Sequence, residues 1–420
     1  MTVADAPTSE AIDAIWRIES ARLIARVARM VGDVGLAEDL AQDALVAALE
    51  RWPRDGVPDN PAAWLTATAK HRAIDMLRRA RTYERKQDEI VREAGLRMAV
   101  DGRDLAAEAD SVGDDMLGLM FACCHPVLST DARVALTLRL LGGLSTPEIA
   151  RAFLISDATA AQRIVRAKRT LKEARVPFDV PAGGELDERL PDVLEVVYLI
   201  FNEGYAASSG SEWMRLDLAR EALRLGRVLA QLVPAEPEVH GLVALMEIQQ
   251  SRAAARTGPD GTPILLGDQD RSRWDRLLIA RGLTALDRAG RTGRALGPYS
   301  LQAAIAACHA RAARPEDTDW PRIVALYDAL AQLTPSPVVD LNRAVAVGMA
   351  YGAEAGLEAV EPLVGERRLA GYHLLPAVRG DLLAKLGRDA EARAEFARAA
   401  ALAANERERE LLARRAGDTG

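Results

Sequence analysis

Apolar residues return every three or four positions along most of this chain and almost nowhere alternate with polar ones, so the pattern predicts helices and not strands. Residues 9–50 read as helices parted by the MVGDVG turn at Gly32 and Gly35. In the second of them Leu36, Leu40, Ala44, Ala47 and Ala48 form an inner side, with Glu38, Asp39, Gln42 and Asp43 turned outward. The run PRDGVPDNP stops that helix, and Asn60 caps a third one with Pro61 in its first position. The third helix spaces Trp64, Leu65, Ala69, Ala73, Met76 and Leu77 at helical intervals, and its other faces carry Lys70, His71, Arg72, Arg78, Arg79 and Arg81. It can pack on one side and lie against a polyanion on the other.

A new helical module begins at Asp114 and contains LSTPEIARAFLISDATAAQRIVRAKRTL, residues 144–171. Ser145 followed three residues later by Glu148 predicts a capping box, in which hydroxyl and carboxylate each satisfy one free backbone N–H. Leu144, Ile149, Phe153 and Ile155 supply the apolar side of a short helix and turn. Ser156 can cap a second helix, whose Ala160, Ile164, Ala167 and Leu171 form a core stripe. Its other surface offers Asp157, Thr159, Gln162, Arg163 and Arg166, then Lys168, Arg169 and Lys172. Small residues at its start permit close approach to a major groove, Arg can fork onto guanine, Gln can pair with adenine, and the later cations suit phosphates. This is a helix-turn-helix pattern; the stretch by itself also fits a solvated basic helix of an ordinary bundle.

Composition narrows the fold to all-α: aromatic residues are 4% of the 420 positions while 49% are hydrophobic, which disfavours both a large sheet and a disordered chain. The length predicts two to four domains. No basic stretch leads into an apolar run at the N-terminus and no apolar run approaches eighteen residues, so the expectation is a soluble, cytoplasmic protein with no membrane partner. The formal charge is −7, unevenly placed. Residues 61–86 hold seven basic and two acidic side chains and residues 129–175 nine and four, while residues 87–115 hold three and nine. Two basic modules therefore flank an acidic connector.

Residues beyond PFDVPAGG, 177–184, read as many helices, broken mainly at GPDGTPILLGDQDRSRWD. Ile323, Tyr327, Leu330 and Pro335 share a spacing with Ala392, Phe396 and Ala399, 69 residues on. That is close to two periods of about 34, the length of a tetratricopeptide unit; the middle unit at Leu357, Glu361 and Val364 fits badly. Asn202, Glu203 and Tyr205, and likewise Asp270, Arg271 and Trp274, are candidates for an interface of this extension, with helix termination and packing as the plainer reading. Cys123, Cys124 and His125 lack the spacing of a zinc site and read as buried packing. His71 has no nucleophile beside it, and no glycine series makes a phosphate loop. No enzyme activity, metal or cofactor is expected.

AEDLAQDAL (37–45), PAAWLTATAKHRAIDMLRR (61–79) and LSTDARVALTLRLLGGLSTPEIARAFLISDATAAQRIVRAKRTLKEA (128–174) together resemble the second and fourth conserved regions of extracytoplasmic-function sigma factors, the specificity subunits of bacterial RNA polymerase. YLIFNEGYAAS, ILLGDQDRSRWD and the closing GYHLLPAVRGDLLAKLGRDAEARAEFARAAALAANERERELLARR are similar to the extension of the subgroup bearing tetratricopeptide-like repeats. The resemblance implies a region 2-like domain at 10–83, an acidic linker at 84–113, a region 4-like domain at 114–176, a helical domain at 185–288 and repeats at 289–415. It implies RNA polymerase core and promoter DNA as partners, with a further regulatory protein at the extension. Glu38, Asp39, Gln42 and Asp43 would meet the polymerase. Trp64, Lys70, His71, Arg72, Asp75, Arg78 and Arg79 would serve the −10 element and strand opening, and Asp157, Thr159, Gln162, Arg163, Arg166, Lys168 and Arg169 the −35 element. A polymerase-independent regulator and a helical-repeat scaffold are the competing readings.

Overall fold

The computed structural model describes residues 6–88, 107–153, 155–181, 183–207, 213–259 and 261–418. Its regular elements are helices, and the strand-like pairing among the described residues is an isolated antiparallel bridge between Thr257 and Pro263. No described helix is long and apolar enough to cross a membrane. The chain divides into two compact units, residues 1–196 and 197–420. Residues 89–106 of the connector expected at 84–113 lie outside the described residues.

In the first unit α1 (Ala6–Val31), α2 (Val34–Asp55) and α3 (Pro61–Asp88) pack together, and α4 (Ala107–Cys123) lies on α1. Gly32, at φ +68°, makes the turn that a side chain would strain, and the Asp33 carboxylate caps α2 by accepting from Gly35 N at 2.9 Å and Leu36 N at 3.2 Å. Beyond the stop expected at Pro53, α2 runs one more turn to Asp55, closed by a 2.9 Å bond from Gly56 N to Trp52 O. Asn60 caps α3 through Ala63 N at 3.0 Å. Next come α5 (Thr130–Leu140), α6 (Thr146–Ala152) and α7 (Asp157–Glu173), with α8 (Gly184–Tyr205) following.

The second unit is built around α10 (Pro237–Gln250), buried along nearly its whole circumference between α9 (Leu216–Leu232), α11 (Arg276–Arg291) and α12 (Pro298–Arg311). A Cβ on Gly241 would collide with the Ser300 backbone, so this glycine sets how closely α10 and α12 approach. The chain continues as α13 (Trp320–Leu333), α14 (Pro337–Tyr351), α15 (Ala353–Val360), α16 (Leu374–Lys385), α17 (Asp389–Leu402) and α18 (Glu406–Asp418), each helix packing on the next. Of the repeat positions, Ile323, Leu330, Ala392, Phe396 and Ala399 are buried, Tyr327 is half-buried and Pro335 is exposed. The ill-fitting middle unit has a local cause: Pro362 supplies no N–H, and Glu361–Leu363 forms a 3-10 turn with Glu361 and Val364 exposed.

Candidate nucleic-acid interface

The predicted capping box is present. Glu148 N donates to Ser145 Oγ at 3.4 Å, and Ser145 N donates to the Glu148 carboxylate at 2.7 Å. Ser156 Oγ accepts from Thr159 N at 3.1 Å and starts α7. Ala160, Ile164, Ala167 and Leu171 are all buried, with Ile149 of α6 also inaccessible. This stripe fixes the rotation of α7 and leaves it two polar flanks.

One flank carries Thr159, Gln162, Arg163 and Arg166, which with Asp131 of α5 border an open hollow of about 350 Å³. Asp157, Thr159, Gln162, Arg166 and Arg169 are exposed; Arg163 is half-buried and ion-paired to Asp131 at 2.9 Å. The opposite flank is occupied. Lys168 Nζ donates to Glu38, and Lys172 Nζ lies 2.7 Å from Asp33. Burial opposes ionisation of Asp33, but the hydrogen bonds from Lys172, Leu36 N and Gly35 N outweigh it and hold the carboxyl below its ordinary value.

These contacts correct one expectation. Glu38 does not point outward: it is 4% exposed, and it accepts from Arg139 Nε of α5 at 2.7 Å as well as from Lys168. Asp39, Gln42 and Asp43 are exposed as expected. Val46 and Leu49, 50% and 43% exposed, continue the same stripe with Glu50 exposed beside them, so the outer face of α2 mixes acidic and apolar side chains. Neither was singled out in the sequence, although both fall outside the Leu40, Ala44, Ala47 and Ala48 register.

On α3, Lys70, His71, Asp75 and Arg78 are exposed, while Arg72 is half-buried and pairs with Asp43 at 3.2 Å. Trp64 is half-buried, edge-on to Trp52 with ring centroids 5.3 Å apart. The Arg79 side chain lies outside the described residues.

The six extension candidates are knitted into the second unit. Asn202 hydrogen-bonds Tyr198, Glu203 pairs with Arg215, and Tyr205 stacks on Phe201 at 5.6 Å while Arg256 covers its ring at 3.5 Å. Asp270 caps the turn Arg271–Arg273 through Ser272 N at 2.9 Å. Arg271 donates to the His309 carbonyl at 2.8 Å and the Ala312 carbonyl at 2.6 Å, and Trp274 is buried beneath Arg271. Cys123 and Cys124 are buried; burial pushes the Cys124 thiol up to about 12 and the Cys123 thiol well above its ordinary value. No cluster of described residues could hold a metal ion.

Residues 18–83 match sigma-70 region 2, residues 119–171 match sigma-70 region 4, and residues 189–290 match a family of unknown function, DUF6596. An uncharacterized protein of Rhizobium meliloti is 48% identical over 383 residues, covering 90% of this chain and 88% of its own length. The probable ECF RNA polymerase sigma factor SigI of Mycobacterium tuberculosis is 29% identical over 170 residues, 40% of this chain and 57% of that protein. SigC of the same species is 28% identical over 162 residues, 37% of this chain and 78% of its own. No solved structure matches. The region 2 match thus falls on α1 to α3 and the region 4 match on the end of α4 and on α5 to α7, and the chain belongs to the extracytoplasmic-function sigma factors of the sigma-70 family, as a member with a C-terminal extension.

Proposed function

We propose that this sigma factor docks on core RNA polymerase through the exposed stripe of α2 and presents α3 and α7 to the −10 and −35 elements of a promoter. Asp39, Gln42 and Asp43 offer charge to a basic surface, and Val46 and Leu49 give that contact apolar area. On α3, Lys70, Arg72 and Arg78 place cations along the backbone of DNA that is opening, His71 stands beside them, and the Trp64 ring is at hand for an unstacked base. On α7, Gln162 and Arg166 are free to read base edges, Thr159 and Arg163 flank them, and Arg169 follows along the phosphates. Glu38 and Lys168 then serve to hold the second and fourth regions together in the free protein, with Asp157 at the start of the reading helix.

The observation that carries this reading is the pairing, in one chain, of a capped helix-turn-helix with a free flank and an α2 face that is both acidic and apolar. A regulator acting on duplex alone has no need of the second. The extension, in this reading, supports or regulates initiation. The test is affinity for purified core polymerase, measured by anisotropy with labelled protein: Asp39→Lys with Val46→Ser weakens core binding at least tenfold yet leaves duplex binding unchanged. Equal core binding by the wild type and this variant refutes the docking assignment.

A further inference from the structure

Two adjoining hollows on the second unit, about 420 and 530 Å³, share Arg227 and Arg281 and form one cleft walled by α9, α10 and α11. The cleft is strongly cationic although residues 176–420 hold 29 basic against 35 acidic side chains. Arg273, Arg281 and Arg288 stand exposed on its walls, with no ion-pair partner among the described residues. Its acidic side chains are already engaged. Glu247 bridges to Arg227 at 2.8 Å, and Asp275 caps α11 through Leu277 N at 2.9 Å and Leu278 N at 3.1 Å.

Two further features say what kind of anion belongs here. Leu277 projects onto the cationic rim 59% exposed, beside Leu278 and Leu223. Gln250, 8% exposed and lining the same hollow, has an Oε1 with no hydrogen-bond partner, and so does Glu247 Oε2 next to it. Buried acceptors of this kind call for N–H donors. A phosphate chain brings negative charge but no donor, and no Phe, Tyr or Trp lines the cleft to stack a base. A polypeptide brings everything required: carboxylates for the arginines, apolar side chains for Leu277, and backbone N–H groups for the floor.

We infer that this cleft is a docking site for an acidic segment of a partner protein in which glutamate or aspartate alternates with leucine-like residues. Each Arg can take a carboxylate in a two-pronged hydrogen bond, which fixes direction as well as adding affinity. The cleft lies wholly within the stretch matching the family of unknown function, so the inference assigns that part of the extension a binding role. It stands apart from the promoter reading, since every residue it uses follows residue 196.

The test is fluorescence anisotropy of the full chain with a labelled peptide of repeating Glu-Glu-Leu units. A Glu-Glu-Ser peptide, a Lys-Lys-Leu peptide and an oligo(dT) strand of matched length serve as the other arms. The Glu-Glu-Leu peptide is expected to bind, and Arg273→Ala with Arg281→Ala to weaken it at least tenfold. Leu277→Ser should weaken that peptide several-fold while leaving the Glu-Glu-Ser peptide unchanged, and the Lys-Lys-Leu peptide should not bind. These three side chains are exposed, and circular dichroism checks that their variants fold. Absence of binding, or indifference to the arginine substitutions, overturns the site. Arginine dependence without leucine dependence, or oligo(dT) binding that needs the same arginines, overturns the peptide assignment in favour of a general anion surface.

Discussion

Arg139 of α5 donates to the Glu38 carboxylate of α2 at 2.7 Å, while Lys168 of α7 takes the other oxygen. A single residue of the second sigma region thereby holds two helices of the fourth. Glu38 is buried and its partners only part-buried, so its removal leaves two cations facing a desolvated pocket. A hydrogen bond to a charged group contributes roughly 1.5–3 kcal/mol, and Glu38→Ala should lower stability by about that amount in urea melts. Asp39→Ala, one residue away but exposed, should stay within about 0.5 kcal/mol of the wild type. Equal effects at the two positions contradict the placement of Glu38.

The two flanks of α7 predict different phenotypes. Gln162→Ala and Arg166→Ala remove groups free to face base edges and should change sequence preference, with about 1–3 kcal/mol lost at a base read by a bidentate contact. Arg169→Ala should weaken all promoters alike and flatten the salt dependence. Promoter-library selection at two salt concentrations distinguishes these patterns.

Much of this region was legible in the sequence because its signals are local. Ser145 and Glu148 are three residues apart, and the stripe from Ala160 to Leu171 lies within one helix; cap and stripe both occur as read. Glu38 was misread because it stands beside Asp39 and within one turn of Gln42 and Asp43, which are exposed, while its partners lie 101 and 130 residues away. Periodicity reports which side of a helix is polar, not whether another region covers it. For the same reason Val46 and Leu49 went unnoticed as surface residues. The burial of Arg271 could not be anticipated either, since the carbonyls it satisfies, at His309 and Ala312, are free only because α12 ends there.

His309 gives the second unit a pH response. Burial, reinforced by Arg252 and Arg271, lowers its pKa to about 4 from an ordinary 6.5. Below about 6.5 the unfolded chain takes up a proton that the folded chain refuses until about 4, so this residue's contribution to stability is lost as pH falls through that window. By pH 5 the loss is roughly 2 kcal/mol. Urea midpoints at neutral pH and at pH 5 should differ more for the wild type than for His309→Gln, and identical differences contradict the assignment.

The thiols should be silent in the folded protein. Cys123, Cys124 and Cys308 are buried and burial raises all three pKa values, while the thiolate is the reactive form. Ellman's reagent should label none until denaturant is added; fast labelling of Cys123 or Cys124 in the native state contradicts their packing.

Selection of start sites decides the central claim. Core polymerase reconstituted with this protein on a mixture of genomic fragments should initiate at a discrete set of positions, mapped by the 5′ ends of the transcripts, that core enzyme alone does not use. That set should shift with Gln162→Ala and disappear with Asp39→Lys combined with Val46→Ser. Transcript ends indistinguishable from those of core enzyme alone, at low salt and with folded protein, would contradict the account.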